Sequence, residues 1–303
     1  MREELIHDCD PGHDDAVALL LALASPEAAL VGVTTVAGNQ TVEKTTANAL
    51  RILEFAGRGD VPVAAGADRP IVRERHVAAD VHGETGLDGP ELPQATGTPV
   101  GQHAVDFLAA HAGGRTLVAT GPLTNLGLLL ALHPTVRPKR IVLMGGAIGE
   151  GNTTPAAEFN VWADPEAARR VLESGLDVTM VGLDVTHRAV VTPAVAEELR
   201  AAGRAGKLVA ELVDFYSRFH RRRYPELGGS PLHDPVALAY ALRPELLEVR
   251  PARVEVDCSW GAGRGRTNVD LRGRGGEPNA AVAVGIDAEA FVRLLVERIA
   301  SLG

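Results

Sequence analysis

The sequence HDCDPGHDDA, residues 7–16, contains four aspartates, Asp8, Asp10, Asp14 and Asp15, within eight residues. A short apolar run precedes this stretch and a longer one follows it, which predicts a strand, a tight turn and a helix. Ligand sites in open α/β sheets lie beyond the carboxyl ends of the strands. Crowded carboxylates repel one another unless a cation neutralises them. The stretch therefore indicates an all-oxygen site for a hard divalent ion such as calcium or magnesium.

Two other interpretations of the same aspartates are possible. Asp14 and Asp15 could cap the helix that follows, where negative charge suits the helix dipole, but this explains only two of the four. An Asp-x-Asp after the first strand also occurs in haloacid-dehalogenase-like phosphatases, as a nucleophile and an acid. That pattern usually continues with Thr or Val where this chain has Gly12. The chain also has very few lysines to act as the partner of such a pair.

Short β-type runs alternate with longer helical runs over the first 180 residues. Strands are predicted at 5–8, 30–36, 61–64, 116–119, 141–144 and 178–181, and helices at 16–24, 42–55, 105–112, 123–132 and 165–173. This rhythm predicts an α/β fold with a mainly parallel sheet and helices on both faces. Strands that are apolar throughout fit such a sheet, because both of its faces are covered.

The pattern changes after residue 193, where an extra helical and strand region is predicted. Helices are expected from 193 to about 223 and at 234–242 and 287–299, and strands at 249–257, 266–271 and 280–286. No linker separates two compositions, so residues 1–303 are predicted to form a single domain. The long polar segment 71–99 is expected to border the active site, since loops of this length are usually functional.

Composition narrows the classes of partner. The chain has 303 residues and a formal net charge of −9, which argues against a nucleic-acid partner. Its two cysteines provide neither a disulfide framework nor zinc-ligand spacing. We find no signal peptide and no apolar run of transmembrane length. These observations predict no membrane partner and a cytoplasmic location.

The motif at residues 8–16 resembles the signature of the inosine-uridine-preferring nucleoside hydrolases. Further blocks resemble that family and follow in its order, namely Ala37–Gln40, His82–Leu87, Thr120–Asn125, Met144–Gly146, Ala157–Asn160, Asp164–Ala167, Leu183–Thr186 and Leu232–Pro235. The resemblance implies a Rossmann-like nucleoside hydrolase fold and hydrolysis of the N-glycosidic bond of ribonucleosides.

The resemblance also implies a role for each matching residue. Asp10, Asp15 and Asp234, with the backbone carbonyl of Thr120, would hold calcium, and Asp14 would be the general base that takes a proton from the metal-bound water. The expected ribose contacts are Asn39, Asn152, Glu158, Asn160 and the backbone of Met144. The residues expected to face the base are His82, Phe159 and His233, and His233 is also expected to be catalytic. Tyr224 is expected to be an aromatic residue that closes over the base. Glu158 and Asn160 stand two apart, which in an extended segment would point both side chains the same way.

The blocks are most similar to the bacterial pyrimidine-preferring branch of the family. We therefore expect uridine and cytidine as substrates, and a purine or broad inosine-uridine hydrolase is the alternative. A catalytically silent nucleoside-binding protein is a further alternative, which the intact aspartate set argues against. Family analogy predicts a homo-oligomer, a tetramer or a dimer.

Overall fold

A nine-stranded, mostly parallel sheet forms the centre of the computed structural model, which describes residues 2–303. The strands of the chain are β1 (Glu3–Cys9), β2 (Ala28–Thr35), β3 (Val63–Ala65), β4 (Thr116–Ala119), β5 (Arg140–Met144), β6 (Val178–Val181), β7 (Val190–Val191), β8 (Ser230–Pro231), β9 (Leu247–Val256), β10 (Thr267–Asp270) and β11 (Ala280–Ile286). The order in the large sheet is β10-β9-β11-β6-β5-β4-β1-β2-β3, and only β9 runs antiparallel to its neighbours. β7 and β8 form a separate antiparallel pair.

Twelve α-helices within residues 2–303 accompany the strands. They are α1 (His13–Ala24), α2 (Val42–Phe55), α3 (Ala79–His82), α4 (Ala104–His111), α5 (Thr124–Leu132), α6 (Phe159–Ala163), α7 (Pro165–Leu172), α8 (Leu183–Thr186), α9 (Pro193–Ala201), α10 (Arg204–Arg223), α11 (His233–Leu242) and α12 (Ala288–Ala300). Two 3-10 turns cover Pro225–Leu227 and Pro244–Leu246. None of these helices is both long and apolar enough to cross a bilayer.

The sheet separates two apolar cores, because successive side chains of a strand point to opposite faces. In β1, Leu5 belongs to one core and Ile6 to the other, and both are fully buried. Helices α1, α10, α11 and α12 supply the first core, whereas α4, α5 and α7 supply the second. The predicted α/β class, with helices on both faces of a mainly parallel sheet, is confirmed.

Most predicted elements lie where the sequence pattern places them. Helix α1 is the informative exception, because it begins at His13, three residues before the apolar run that predicted it. The Asp15 carboxylate accepts a hydrogen bond from the main-chain N–H of Gly12 (3.1 Å) and so extends the helix start into the polar motif. The Asp287 side chain caps α12 by accepting from the N–H of Ala290 (3.0 Å).

The connections that follow β1 and β4 run in opposite directions across the sheet, and this reversal determines where a ligand site can form. From β1 the chain proceeds to the neighbouring strand β2 and then β3, after which it returns to β4 on the other side of β1. A crevice opens at such a reversal of strand order, outside the carboxyl ends of the strands. The main-chain N–H of Thr120 donates to the carbonyl of Asp8 (2.8 Å) and ties the two strand ends together.

Helices α5 and α7 approach each other closely at Gly127, which generates a stability prediction. A Cβ at Gly127 would lie 2.8 Å from Ala167 Cβ and 2.9 Å from its Cα. We predict that Gly127→Ala destabilises the protein, because overpacking costs about 1–3 kcal/mol and outweighs the roughly 1 kcal/mol helix-propensity gain of alanine. The measurement is the urea midpoint. Gly113→Ala is the control, since its Cβ meets nothing within 4 Å, and a Gly127→Ala midpoint at or above wild type would contradict the prediction.

Candidate active site

A cavity lies at the carboxyl ends of the central strands and is lined by two chemically different groups of residues, named the polar side and the aromatic side. Its polar side is lined by Asp14, Asn39, Thr120, Met144, Asn152, Thr153, Glu158, Asn160 and Asp234. Its aromatic side is lined by His82, Phe159, His187, Tyr216, Phe219, His220, Tyr224 and His233, with Ala78 and Val81. The cavity therefore matches a ligand with one hydroxyl-rich part and one flat, apolar part.

Three carboxylates meet on the polar side. One oxygen from each of Asp14, Asp15 and Asp234 lies within 4.8 Å of the others, and all three side chains are buried. Asp14 and Asp15 belong to the first turn of α1, whereas Asp234 belongs to the first turn of α11. The structure thus joins the sequence motif to a residue more than 200 positions away. Three close carboxylates are a suitable donor set for a hard divalent cation.

Asp10 is at the edge of this cluster and has one free carboxylate oxygen. Its Oδ2 accepts from the main-chain N–H of Asn39 (2.6 Å), but its Oδ1 is buried without a hydrogen-bond partner among residues 2–303. A Cβ at Gly38 would lie 2.1 Å from Oδ2, and one at Gly121 would lie 2.6 Å from Oδ1. Both glycines are therefore needed where they stand. A buried carboxylate oxygen without a donor fits the predicted role of Asp10 as a cation ligand.

Burial and mutual repulsion shift the titration of the whole cluster. Burial, followed by the charge of Asp15, raises the pKa of Asp10 well above its usual range. Burial and then the charge of Asp14 do the same to the pKa of Asp234, and burial with the charge of Asp15 raises the pKa of Asp14 to about 7. These groups can all be ionised near neutral pH only if a cation compensates them.

Asp15 is the most strongly held member of the cluster. Its Oδ1 accepts from Thr120 Oγ1 (2.8 Å) and its Oδ2 accepts from Asn39 Nδ2 (3.0 Å) as well as from Gly12. The side-chain amide of Asn39 also donates to the carbonyl of Asp10 (3.2 Å). The nitrogen of Asn39 is therefore committed to the acidic motif, and its oxygen is the atom left for a ligand.

Glu158 corrects one inference from sequence. The segment 158–160 is not extended, since Glu158 is the N-cap of α6. Its carboxylate accepts from the main-chain N–H groups of Gly146 (2.9 Å), Asn160 (2.8 Å) and Val161 (3.1 Å). Burial raises the pKa of Glu158 to about 7. Helix capping, not alternation along a strand, brings this carboxylate to the cavity.

Asn160 fixes two carbonyl groups at the cavity. Its Nδ2 donates to the carbonyl oxygens of Thr120 (2.7 Å) and Met144 (3.1 Å). Each carbonyl oxygen has two acceptor sites, so one acceptor site of the Thr120 carbonyl stays free. Asn152 Oδ1 accepts from the N–H of Phe159 (2.9 Å) and positions the start of α6.

The segment 71–99 borders the cavity, as predicted, and carries His82 into it. His82 Nδ1 accepts from the main-chain N–H of His13 (3.2 Å). A Cβ at Gly12 would lie 2.5 Å from that nitrogen, so the acidic motif and this segment pack without space between them. Asn48 Nδ2 joins them again by donating to the carbonyls of Pro11 (3.0 Å) and Thr85 (2.8 Å).

The family model described as inosine-uridine preferring nucleoside hydrolase matches residues 5–293 of this chain. The chain belongs to this nucleoside hydrolase family. It is thus a hydrolase that cleaves N-glycosidic bonds of ribonucleosides, which rules out the phosphatase alternative.

Relatives resemble the hydrolase over nearly its whole length. It is 50% identical to the pyrimidine-specific ribonucleoside hydrolase of Enterobacter sp. strain 638, covering 98% of this chain and 97% of the relative. It is also 50% identical to the enzyme of the same name from Shewanella sp. strain ANA-3, covering 99% and 97%. Among solved structures, the purine-preferring ribonucleoside hydrolase from Gardnerella vaginalis superposes with a TM-score of 0.93 at 36% identity and 99% coverage of both chains.

Twelve of the fourteen predicted site residues line the hydrolase cavity, whereas Asp10 and Asp15 lie behind its surface. Sequence analysis missed several residues on the aromatic side, namely His187, Tyr216, Phe219 and His220. Three of them, at positions 216, 219 and 220, share one face of α10 at helical spacing. That spacing was the available signal. Such a stripe usually marks core packing in a helix, so it did not stand out.

The carboxylate cluster generates a prediction about cations. We predict that calcium raises the melting temperature of the chelator-treated hydrolase, because the ion offsets the repulsion between the buried carboxylates. At a calcium concentration 100 times its Kd, the free energy of unfolding should rise by about 2.7 kcal/mol. Protons compete for the same groups, whose pKa values are raised, so the rise is smaller in mildly acidic buffer. Asp10→Asn should reduce the rise, and Asp106→Asn, at an exposed carboxylate, should leave it unchanged. A melting temperature insensitive to calcium would contradict the prediction.

Proposed function

We propose that this hydrolase cleaves uridine and cytidine in preference to purine nucleosides, giving ribose and the free base. The observation that carries the proposal is a cavity that combines buried carboxylates with imidazole and aromatic side chains. The names of the relatives at 50% identity support the pyrimidine preference. The purine-preferring name of the 36% identical structure keeps a purine or broad inosine-uridine activity as the alternative.

We propose calcium as the cation. The ligands would be Asp10, Asp15, Asp234 and the carbonyl of Thr120, and ribose hydroxyls would complete the shell. So many protein oxygens suit calcium, which takes six to eight, better than magnesium, which usually keeps several waters. The unpaired Asp10 Oδ1 supports this ligand set. The bound ion would orient the sugar diol and make a nearby water more acidic.

Asp14 is proposed as the general base. It lines the cavity, whereas Asp10 and Asp15 lie behind it. One of its carboxylate oxygens lies within 4.8 Å of oxygens of Asp15 and Asp234, so a water on a cation held by those two residues would be within its reach. As the oxygen of water bonds to the anomeric carbon, the Asp14 carboxylate takes the water's proton, and the carbon–nitrogen bond to the base breaks with inversion.

The polar side is proposed to bind the ribose through Asn39, Asn152, Glu158, Asn160 and the backbone of Met144. Cleavage of an N-glycosidic bond develops positive charge on the sugar, as in other glycoside hydrolyses. The buried carboxylates and fixed carbonyl oxygens around the sugar favour that charge, and they need no reorganisation during the reaction.

The aromatic side is proposed to hold the base, with His82, Phe159 and Tyr224 in contact with it. His233 is proposed as the catalytic residue that assists the departing base. All four side chains line the cavity. A homo-oligomer and a cytoplasmic location remain predictions from sequence.

Substitution of Asp14 should remove catalytic activity alone, whereas substitution of Asp10 should remove both activity and calcium binding. We predict that Asp14→Asn lowers kcat on uridine by at least roughly 10²-fold, the usual contribution of a positioned general base, while the calcium-dependent rise in melting temperature persists. Asp10→Asn should lose both activity and most of that rise. If Asp14→Asn also abolishes the calcium response, Asp14 is a ligand and the assignment is wrong.

The base preference is tested by a kinetic panel. We predict that kcat/KM for uridine and cytidine exceeds that for inosine and adenosine by roughly tenfold or more, a difference of at least about 1.4 kcal/mol in transition-state binding. The panel is run with calcium, with chelator-treated enzyme as the control. Equal or greater kcat/KM for the purine nucleosides would favour the alternative.

A further inference from the structure

Thr186 is a buried residue next to the site, and the proposed mechanism gives it no role. It ends the short helix α8 and is completely inaccessible to solvent. Its Oγ1 lies 2.7 Å from Nδ1 of His233. Among residues 2–303, no other partner satisfies the hydroxyl of Thr186. The second ring nitrogen of His233, Nε2, has no protein partner in the same residues, and the ring lines the cavity.

The direction of this hydrogen bond determines the tautomer of His233. A hydroxyl carries one hydrogen, and a neutral imidazole carries one N–H and one acceptor nitrogen. If Nδ1–H donated to Thr186, the hydroxyl hydrogen would be buried without an acceptor, which is unfavourable. If the hydroxyl donates to Nδ1, every group is satisfied. The second arrangement places the imidazole hydrogen on Nε2.

The surroundings of His233 keep the ring neutral. A protonated imidazole carries an N–H on both nitrogens, so it would have to donate from Nδ1 and leave the buried hydroxyl hydrogen of Thr186 without an acceptor. The rings of His187 and His220 lie 5.4 Å and 6.2 Å from it, measured between centroids. A neutral ring has only one hydrogen to present, so the identity of the nitrogen that carries it decides whether His233 can donate to a ligand.

We propose that Thr186 is a positioning residue that holds His233 as the Nε2–H tautomer, so that His233 donates a hydrogen bond to a carbonyl oxygen of the departing base. The inference rests on the proposed function. When the carbon–nitrogen bond breaks, its electron pair moves onto the base and is shared with the ring carbonyl oxygens. The Nε2–H group stabilises that charge by donation without proton transfer, and the base later takes its proton from solvent. The outer partner of an imidazole commonly selects its tautomer in this way.

The test compares two leaving groups in the calcium-loaded enzyme. Uracil needs a hydrogen-bond donor as it leaves, whereas p-nitrophenolate is a stable anion that does not. We expect Thr186→Val to lower kcat on uridine roughly 10- to 100-fold and to change kcat on p-nitrophenyl riboside less than about twofold. The larger loss on uridine is expected because only the departing uracil depends on the Nε2–H tautomer of His233. Thr186→Ser keeps the hydroxyl and should restore uridine cleavage.

Thr116→Val is the matched control for general destabilisation. Thr116 is also fully buried, and its hydroxyl hydrogen-bonds Glu3 at the opposite end of the sheet. The Thr116→Val variant should leave the ratio of kcat on uridine to kcat on p-nitrophenyl riboside unchanged. Equal losses on both substrates for Thr186→Val, or failure of Thr186→Ser to recover, would overturn the inference. A wild-type enzyme that cleaves neither substrate would instead overturn the proposed function itself, and the inference with it.

A direct measurement on the unaltered enzyme removes any dependence on variant folding. Nitrogen-15 NMR of the imidazoles distinguishes a protonated from an unprotonated ring nitrogen, and comparison with His233→Asn assigns the His233 signals. We expect an unprotonated Nδ1 and a protonated Nε2. The opposite pattern would overturn the inference.

Discussion

The repulsion between buried carboxylates is the constraint on which the rest of the site depends. Asp14, Asp15 and Asp234 bring their oxygens within 4.8 Å of one another, and Asp10 lies beside them. Two unit charges 4 Å apart cost about 4 kcal/mol at an effective dielectric constant of 20. The fold maintains this arrangement through glycines that leave room for Asp10 and through the hydrogen bonds that fix Asp15. A cation turns the same repulsion into attraction, which explains why a folded chain can tolerate it.

The aromatic side of the cavity is arranged by a different physical rule. Three of its histidines, His82, His220 and His233, are buried, and burial lowers the pKa of His220 to about 4. Neutral imidazoles donate from one nitrogen only, so the partners behind them determine what they present to a ligand. Main-chain and hydroxyl groups, rather than charges, are these partners. The cavity therefore combines ionisable carboxylates with uncharged imidazoles.

The sequence predicted the fold and the acidic part of the site well, because both depend on short, strong patterns. Apolar runs of strand and helix length indicate a parallel sheet, and the crowding of aspartates at residues 8–15 has few explanations other than a cation site. The aromatic side was predicted less completely. Tyr216 and His220 are brought to the cavity by the packing of α10 against α1 and α3, which the helical spacing of the two residues does not reveal by itself. The role of Glu158 as a helix cap was missed for a related reason, since α6 is only five residues long and has too few turns to show periodicity.

The central claim is that Asp10, Asp15 and Asp234 hold one hard cation beneath the sugar site, with Asp14 left free as the base. A crystal structure of the hydrolase grown with calcium tests it most directly. The account predicts one ion per chain, with oxygens of these three residues and the carbonyl of Thr120 at about 2.3–2.6 Å, the usual calcium–oxygen distance. Density without an ion at this position, or an ion that Asp14 ligates while Asp10 stays away, would contradict it.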